Sequence, residues 1–492
     1  MSHIVTRLSR TAPFRWLEPQ QGKRRWLSLA IVLGVLGLAF VLGRRPNPLI
    51  VVALGGLFGA LLLLRWPNLG FLALVVAALA ARIEVGTGTE VALNPASMLV
   101  PVMLLIWLLN AVIQHDLKLV PSRTNQPLIL FLLLGLISIL ISNVIWDPMV
   151  PKSDRFVVVQ LAQWAIWAFS AGIYWLVGNR IDSIVWLRRI TVGYLIVAGG
   201  IGLLRVMPGG VDITFNYLTF AIERAPYWLL LTAIAAGQLL FNQHLSNKWR
   251  LFLIAAIGSA LYYSLAIEQD RSSNWVGVFA ALGVLAWLRY RRLRWLSIAV
   301  IVFTLASGVL FNSIYEFAGG DAKWTESGAS RGVLIGRVIE LSMRNPITGI
   351  GPAAYRPYGL TKPLFYEGAY WIEPRINSHN NYADLFSQLG VVGVAIFFWF
   401  MIEVALLGWR LRSTFKDGFA GGYVNGILAA WVGTMIIMAL ADWFLPFVYN
   451  IGFAGFQASV LIWMMMGGLI TLEQIARKQA AAPTLVGNTH TD

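Results

Sequence analysis

Residues 389–409 read LGVVGVAIFFWFMIEVALLGW, an apolar run of 21 residues interrupted by one charge, Glu403. As an α-helix such a run rises about 1.5 Å per residue and crosses a hydrocarbon core of about 30 Å, with every backbone polar group satisfied inside the helix. Arg410, Arg412 and Lys416 follow it directly, so this end is expected on the cytoplasmic side. The run is preceded by a long polar stretch, residues 312–388, which is therefore expected on the outer face. Working outward, further runs of the same kind occupy about 26–42, 48–64, 69–81, 97–113, 127–145, 156–177, 184–204, 227–241, 250–267, 274–288, 295–311, 423–441 and 449–471. The sequence predicts an all-α polytopic membrane protein of 12–14 spans with one large extracytoplasmic loop containing short helices. In the twelve-span version a hairpin near 48–81 is re-entrant, and the orientation of everything after it is unchanged.

Composition agrees with that class. The chain has 492 residues, 58% hydrophobic and 12% charged, half the charge of a soluble domain. Its formal net charge of +15 would in a soluble protein suggest a nucleic-acid partner. Placement argues otherwise, because alternate loops are dense and sparse in Lys and Arg. The dense ones include Arg7, Arg10, Arg15, Lys23, Arg24 and Arg25, then Arg289, Arg291, Arg292 and Arg294, then Arg477 and Lys478. Fourteen spans put 23 of the 38 Lys and Arg inside and 15 outside, and seven of those 15 lie in the long loop, where the rule is weak. Arg44 and Arg45 fall outside against the rule. The basic character reports topology, with both termini cytoplasmic and no nucleic-acid partner. There is no cysteine, hence no disulfide framework and no thiolate chemistry. Six basic residues before the first apolar run, with no clear cleavage site after it, read as a retained anchor.

Five segments follow: a basic cytoplasmic N-terminus 1–25, spans 26–311, the loop 312–388, spans 389–471, and a cytoplasmic tail 472–492 whose last dozen residues read as disordered. A structureless loop the length of 312–388 is uncommon without a function. Within it Ser330 to Asn345 reads as an amphipathic helix, with Val333, Leu334, Val338 and Leu341 on one face and Arg331, Arg337, Glu340 and Arg344 elsewhere. Ser330 is placed to cap it and Asn345-Pro346 to stop it. A turn at Gly349-Ile350-Gly351-Pro352 leads to the aromatics Tyr355, Tyr358, Phe365, Tyr366, Tyr370 and Trp371. His379 is the one histidine predicted outside. With Ser378 as N-cap it would stand in a first helical turn, whose dipole disfavours the imidazolium and leaves a neutral base. The bland alternative is an interfacial side chain capping a membrane helix. Arg271, in an outer turn between two spans, is either a snorkelling arginine paired with Asp270 or Glu268, or a phosphate ligand. Arg331 has the same two readings, and Arg224, Arg205 and Arg375 are weaker candidates of that kind. Histidine is too scarce, and cysteine absent, for a zinc cluster, and no Walker-type phosphate loop exists.

The stretch Asn345-Pro346-Ile347-Thr348-Gly349-Ile350-Gly351-Pro352, followed by Ser378-His379-Asn380-Asn381-Tyr382 and Gly390, resembles the O-antigen ligase/polymerase family. That family places a histidine eleven residues before a glycine, as His379 and Gly390 stand here. It also places an arginine some fifteen residues before the Pro-x-x-Gly-x-Gly turn, where Arg331 stands. Arg271 matches a third signature, Ser-Arg, although Asp270 replaces the serine, and Ile335 replaces the aromatic usual four residues after the loop arginine. The motifs cover roughly 260–400. The resemblance implies a metal-independent, C-type-fold inverting glycosyltransferase of the bacterial inner membrane, without cofactor, acting in cell-surface polysaccharide synthesis. Its donor would be an undecaprenyl-diphosphate-linked glycan and its acceptor a glycan or lipid A core hydroxyl, with membrane lipid around it. By the same implication His379 would be the base, and Arg271 and Arg331 would hold the diphosphate. The sequence alone leaves two other readings open: a multispan transporter of a small solute or lipid-linked sugar, and a non-catalytic scaffold. Few midplane charges and no obvious inverted halves weigh against the transporter.

Overall fold

A computed structural model describes residues 59, 61–86, 92–116, 118–269, 271–290, 292–295, 299, 329–362, 364–366, 370–372 and 378–481. The expected span 26–42, all of 295–311 but residues 295 and 299, most of 48–64, the termini and Arg375 lie outside the described residues. The chain divides into two compact units, 1–66 and 67–492, and all that follows concerns the second.

Eleven of the expected spans fall on described residues, and each is a helix. They are α1 (Leu69–Leu79), α2 (Pro95–Ile113), α3 (Asn125–Val144), α4 (Phe156–Arg180), α5 (Ile184–Arg205), α7 (Ala225–Phe241), α8 (Asn247–Tyr262), α9 (Ser272–Arg289), α12 (Asn381–Thr414), α13 (Gly418–Leu440) and α14 (Gly452–Ala481). A short α6 (Gly210–Tyr217) and a 3-10 turn, Phe220–Glu223, join α5 to α7. Helix α8 ends in a π turn, Tyr263–Ile267. Among the described residues, eight helices are long and apolar enough to cross a membrane; α1, α7 and α9 are shorter. Helix α7 packs on α8, α9 and α13 and buries nearly every residue, so its neighbours, rather than lipid, satisfy its surface. Other dense seams join α4 to α14, α9 to α13 and α3 to α12.

Starts are set by polar caps that take up otherwise unpaired N–H groups. Asn94 and Ser97 form a reciprocal capping box at α2, with Pro95 at its first position. Ser183 accepts from Trp186 N at α5, and Ser246 from Trp249 N at α8. Strand content is limited, among the described residues, to two antiparallel hairpins, Val85–Gly86 with Ala92–Leu93 and Leu364–Tyr366 with Tyr370–Ile372. The second belongs to the long loop, where the sequence suggested only an aromatic-rich stretch.

The loop helix α10 (Ala329–Ser342) forms where expected and packs on α12, with Leu334, Val338 and Leu341 buried. Arg337 departs from the expected polar face. It is 3% exposed, donates from Nη2 to Gly359 O at 2.9 Å, and so ties α10 to α11 (Tyr355–Leu360). The segment after α10 is fastened to the end of α3. Arg344 pairs with Asp147 at 2.5 Å, and the Tyr358 ring lies 4.9 Å from Trp146. A backbone N–H from Met149, together with Arg344, holds the Asp147 carboxyl below its ordinary range.

Candidate active site

The turn at residues 346–351 and the helix after His379 make one structural unit. Helix α12 runs from Asn381 to Thr414 but breaks at Gly390, whose φ of 65° and ψ of −168° belong to a region essentially confined to glycine. The expected span 389–409 is therefore the long second part of a kinked helix. A kink frees backbone donors and acceptors, and the turn, with Ser138 of α3, supplies their partners. Val391 N donates to Pro346 O at 2.8 Å and Val392 N to Ile347 O at 3.3 Å. Ile350 N donates to the freed Ser387 O at 2.8 Å, and Ser138 Oγ on α3 bridges Gln388 O and Thr348 O at 2.9 and 3.0 Å. Gly349, with φ 77°, is pressed so close to the Gln388 carbonyl that a β-carbon has no room. The Pro-x-x-Gly-x-Gly turn and the glycine eleven residues past the histidine thus answer each other: the turn docks into the kink.

That unit fixes the start of α12, and with it His379. Ser378 is not the N-cap. Asn380 is, its side chain accepting from Tyr382 N and Ala383 N, so His379 stands one residue outside the helix. Ser378 Oγ instead donates to Asp384 Oδ1 at 2.7 Å and accepts from Asn380 N. His379 adopts a left-handed φ of 48°, a conformation that costs a non-glycine residue about 1 kcal/mol or more unless its surroundings impose it. They do so through the last turn of α13 and the loop between α13 and α14. Asn380 Nδ2 donates to Ala439 O at 2.9 Å, and Asn381 clamps Leu445 by donating to its carbonyl at 2.8 Å and accepting from its N–H at 3.2 Å.

This loop brings Asp442 to His379. Asp442 is 1% exposed and accepts from Asn450 Nδ2 at 2.9 and 3.0 Å and from Phe447 N at 3.3 Å. Asn450 Nδ2 also lies 3.4 Å from His379 Nδ1. Burial raises the Asp442 carboxyl above its ordinary range, and the facing His379 imidazole and the Asn450 amide oppose that rise. A buried carboxylate beside an imidazole sets the ring's orientation and tautomer and stabilises its protonated form. His379 lies one residue outside α12, beyond the first turn in which the sequence placed it, and Asp442 is the charged group set beside it.

At the same end of the bundle, arginines converge around Glu223. Arg271 is the N-cap residue of α9, 40% exposed, with Nη1 3.0 Å from Glu268 Oε2 and 3.8 Å from Glu223 Oε2. Arg205, at the end of α5, is buried. It donates to Thr214 Oγ1 at 3.0 Å and Tyr263 OH at 2.7 Å, and its Nη2 lies 3.6 Å from Glu223 Oε1. Arg224 lies flat on Phe220, 3.7 Å from the ring centre, with Trp443 at 5.3 Å. Burial, aided by the charge of Arg271, lowers its pKa to about 10. Trp443 adjoins Asp442 in the chain, so one aromatic step separates the guanidinium cluster from the His379–Asp442 pair.

Of the residues proposed from sequence, the structure thus brings Arg271, Arg224 and Arg205 into one cluster and sets His379 close by. The backbone of Arg331 lies in the first turn of α10; its side chain, like all of Arg375, is outside the described set. Sequence reasoning missed Asp442, Asn450, Glu223 and Trp443. Asp442 had a signal, as the one acidic residue between Asp417 and Glu473, directly after an apolar span. Glu403, the one carboxylate noticed inside a span, lies in the middle of α12 away from these groups. Among the described residues no three His, Asp or Glu side chains converge as metal ligands.

Compared with known families, residues 256–398 match the model of a family described as O-antigen ligase. The matched segment holds Arg271, α10, the docked turn, His379 and the kink, and stops short of Asp442. No curated protein matches the chain.

Proposed function

We propose, from the O-antigen ligase domain this multi-pass membrane protein carries, that it moves a glycan from an undecaprenyl-diphosphate carrier to an acceptor hydroxyl. The reaction takes place at the outer face of the bacterial inner membrane, with both termini cytoplasmic. The observation that carries this reading is the pairing of His379 with buried Asp442, one aromatic residue away from a guanidinium cluster. Protonated on Nδ1 beside Asp442, the His379 ring presents the Nε2 lone pair to the acceptor. Nε2 takes the acceptor proton as that oxygen attacks the anomeric carbon from the face opposite the diphosphate. The anomeric C–O bond breaks, its electron pair leaves with the diphosphate, and the configuration inverts. Arg271 and Arg224 face the diphosphate, with Arg331 on the loop helix and Arg375 completing the set. Guanidinium forks match phosphate oxygens and stabilise the leaving group as charge builds, which a metal would otherwise do. The acceptor is a growing glycan or a lipid A core sugar.

The test is His379→Ala, purified and compared with wild type at equal amount and equal thermal stability. Loss of a general base lowers the rate by about 10²–10⁴. Near-normal glycan transfer by this variant would overturn the assignment.

A further inference from the structure

Around Arg271, carboxylates and guanidiniums alternate. Arg205 donates to the Tyr263 hydroxyl at 2.7 Å, on the π turn that leads into Glu268. Glu268 holds Arg271 at 3.0 Å, Arg271 faces Glu223 at 3.8 Å, and Glu223 returns to Arg205 at 3.6 Å. Asn274 fastens the two carboxylate residues together, donating from Nδ2 to Glu223 O at 3.3 Å and to Glu268 Oε2 at 3.4 Å. The π turn Tyr263–Ile267 builds this arrangement, because its widened hydrogen bond, Glu268 N to Tyr263 O at 2.9 Å, sets the two side chains one wide turn apart.

The two carboxylates have different stations. Glu223 belongs to the buried side: it faces Arg205, whose guanidinium is 1% exposed, and the pair cancels where water does not reach. An arginine so placed needs its counter-charge permanently, since breaking a buried pair leaves an unpaired charge. Glu268 closes on Arg271 from the other side: it is 17% exposed against 11% for Glu223, and the Arg271 side chain is 40% exposed although its Nη1, which meets both carboxylates, is buried. Arg224, alongside, has no carboxylate of the described residues within ion-pairing distance, and its Nε has no acceptor. With Arg205 and Glu223 cancelled, the open side carries two guanidinium charges against one carboxylate.

We infer that Glu268 is a resident anion that occupies Arg271 until the donor's diphosphate displaces it, and that returns to help expel the diphosphate product; Glu223 is the fixed counter-ion that keeps Arg271 in position for both. This rests on the proposed transferase reading and adds to it a device for release. A diphosphate diester carries two negative charges, which Arg271 and Arg224 match only when Glu268 lets go. The exchange trades one charge-assisted contact for another, so affinity stays moderate and the product does not remain trapped on two desolvated arginines.

The decisive variant is Glu268→Gln, which keeps an accepting oxygen for Asn274 but removes the competing charge. The probe is inorganic pyrophosphate, titrated calorimetrically into the full-length protein in nanodiscs. Glu268→Gln tightens pyrophosphate binding about fivefold, the scale of one part-exposed ion pair, and Arg271→Ala in the same background abolishes that gain. Glu223→Gln weakens binding instead. Damage to the fold would not tighten a ligand, so the sign of the change is informative by itself. Unchanged or weaker binding in Glu268→Gln overturns the inference, even if glycan transfer by wild type is robust. Tighter, Arg271-dependent binding upholds the exchange even if no variant transfers glycan, in which case it is the transferase reading that fails.

Discussion

Replacing Asp442 by asparagine separates a group that works on His379 from one that merely fills space. The side chain is 1% exposed and is held by Asn450 and Phe447 N; an amide oxygen in the Oδ2 position can still accept from both in the same volume, and only the second contact of Asn450, to Oδ1, is lost. What is lost with it is the charge beside the imidazole. A hydrogen bond to a charged group contributes about 1.5–3 kcal/mol, equivalent to about 10- to 150-fold in rate. An asparagine that favours the wrong ring tautomer extends the loss toward about 10⁴. Stability should move the other way. Burial raises the Asp442 pKa above its unfolded value, so whatever stability the group adds is present at low pH and lost as pH rises through the folded pKa. At pH 7 the ionised carboxylate is thus a cost that asparagine removes. Asp442→Asn is expected to melt at or above the wild-type temperature at pH 7 while transferring glycan about 10²- to 10⁴-fold more slowly. Wild-type activity should fall on the acid side at a higher pH than an ordinary carboxylate would dictate, because transfer needs Asp442 ionised. The assay is single-turnover transfer with purified protein across pH, beside a thermal melt of each sample. Transfer within threefold of wild type at equal stability would refute the pairing; parallel loss of melting temperature and rate would mark Asp442 as structural.

Gly390→Ala forces a methyl toward the Ile347 carbonyl, and to 2.6 Å from Gly349 N, at a φ of 65°. The docked turn should come loose at a cost of about 3 kcal/mol or more, seen as a lower melting temperature and faster proteolysis at 345–352; a wild-type melt would show that the docking is dispensable. Transfer by purified protein should survive EDTA, since arginines carry the leaving-group charge, and a strict divalent requirement would contradict that role. In the cysteine-free parent, Gly368→Cys should label with an impermeant thiol reagent in intact cells and Arg292→Cys should not, with reversed labelling overturning the orientation.

Sequence by itself determined the class of fold, because lipid imposes a local rule. Each span must satisfy its own backbone, so a window of about 20 apolar residues is legible without knowing its neighbours. Every expected span that falls on described residues is a helix, including the short α1, α7 and α9. His379, Arg271 and the two glycine signatures could be nominated from sequence as residue types at fixed offsets, and Arg224 as an outer-face arginine; their roles belong to the proposed function. Other features were decided by tertiary structure, since they depend on contacts between distant segments. Gly349 and Gly390 read as a turn and a spacing; only their docking shows that one repairs the hydrogen bonds the other breaks. Arg337 looked like a solvated face and is buried, because its partner, the Gly359 carbonyl, comes from a turn that no periodicity foretells. Asp442 sits 63 residues beyond His379, and Glu223 sits 48 before Arg271. Charge pairing acts through space over a few ångströms, so the partner that sets a histidine's tautomer or an arginine's position is fixed by which helix ends the bundle brings together.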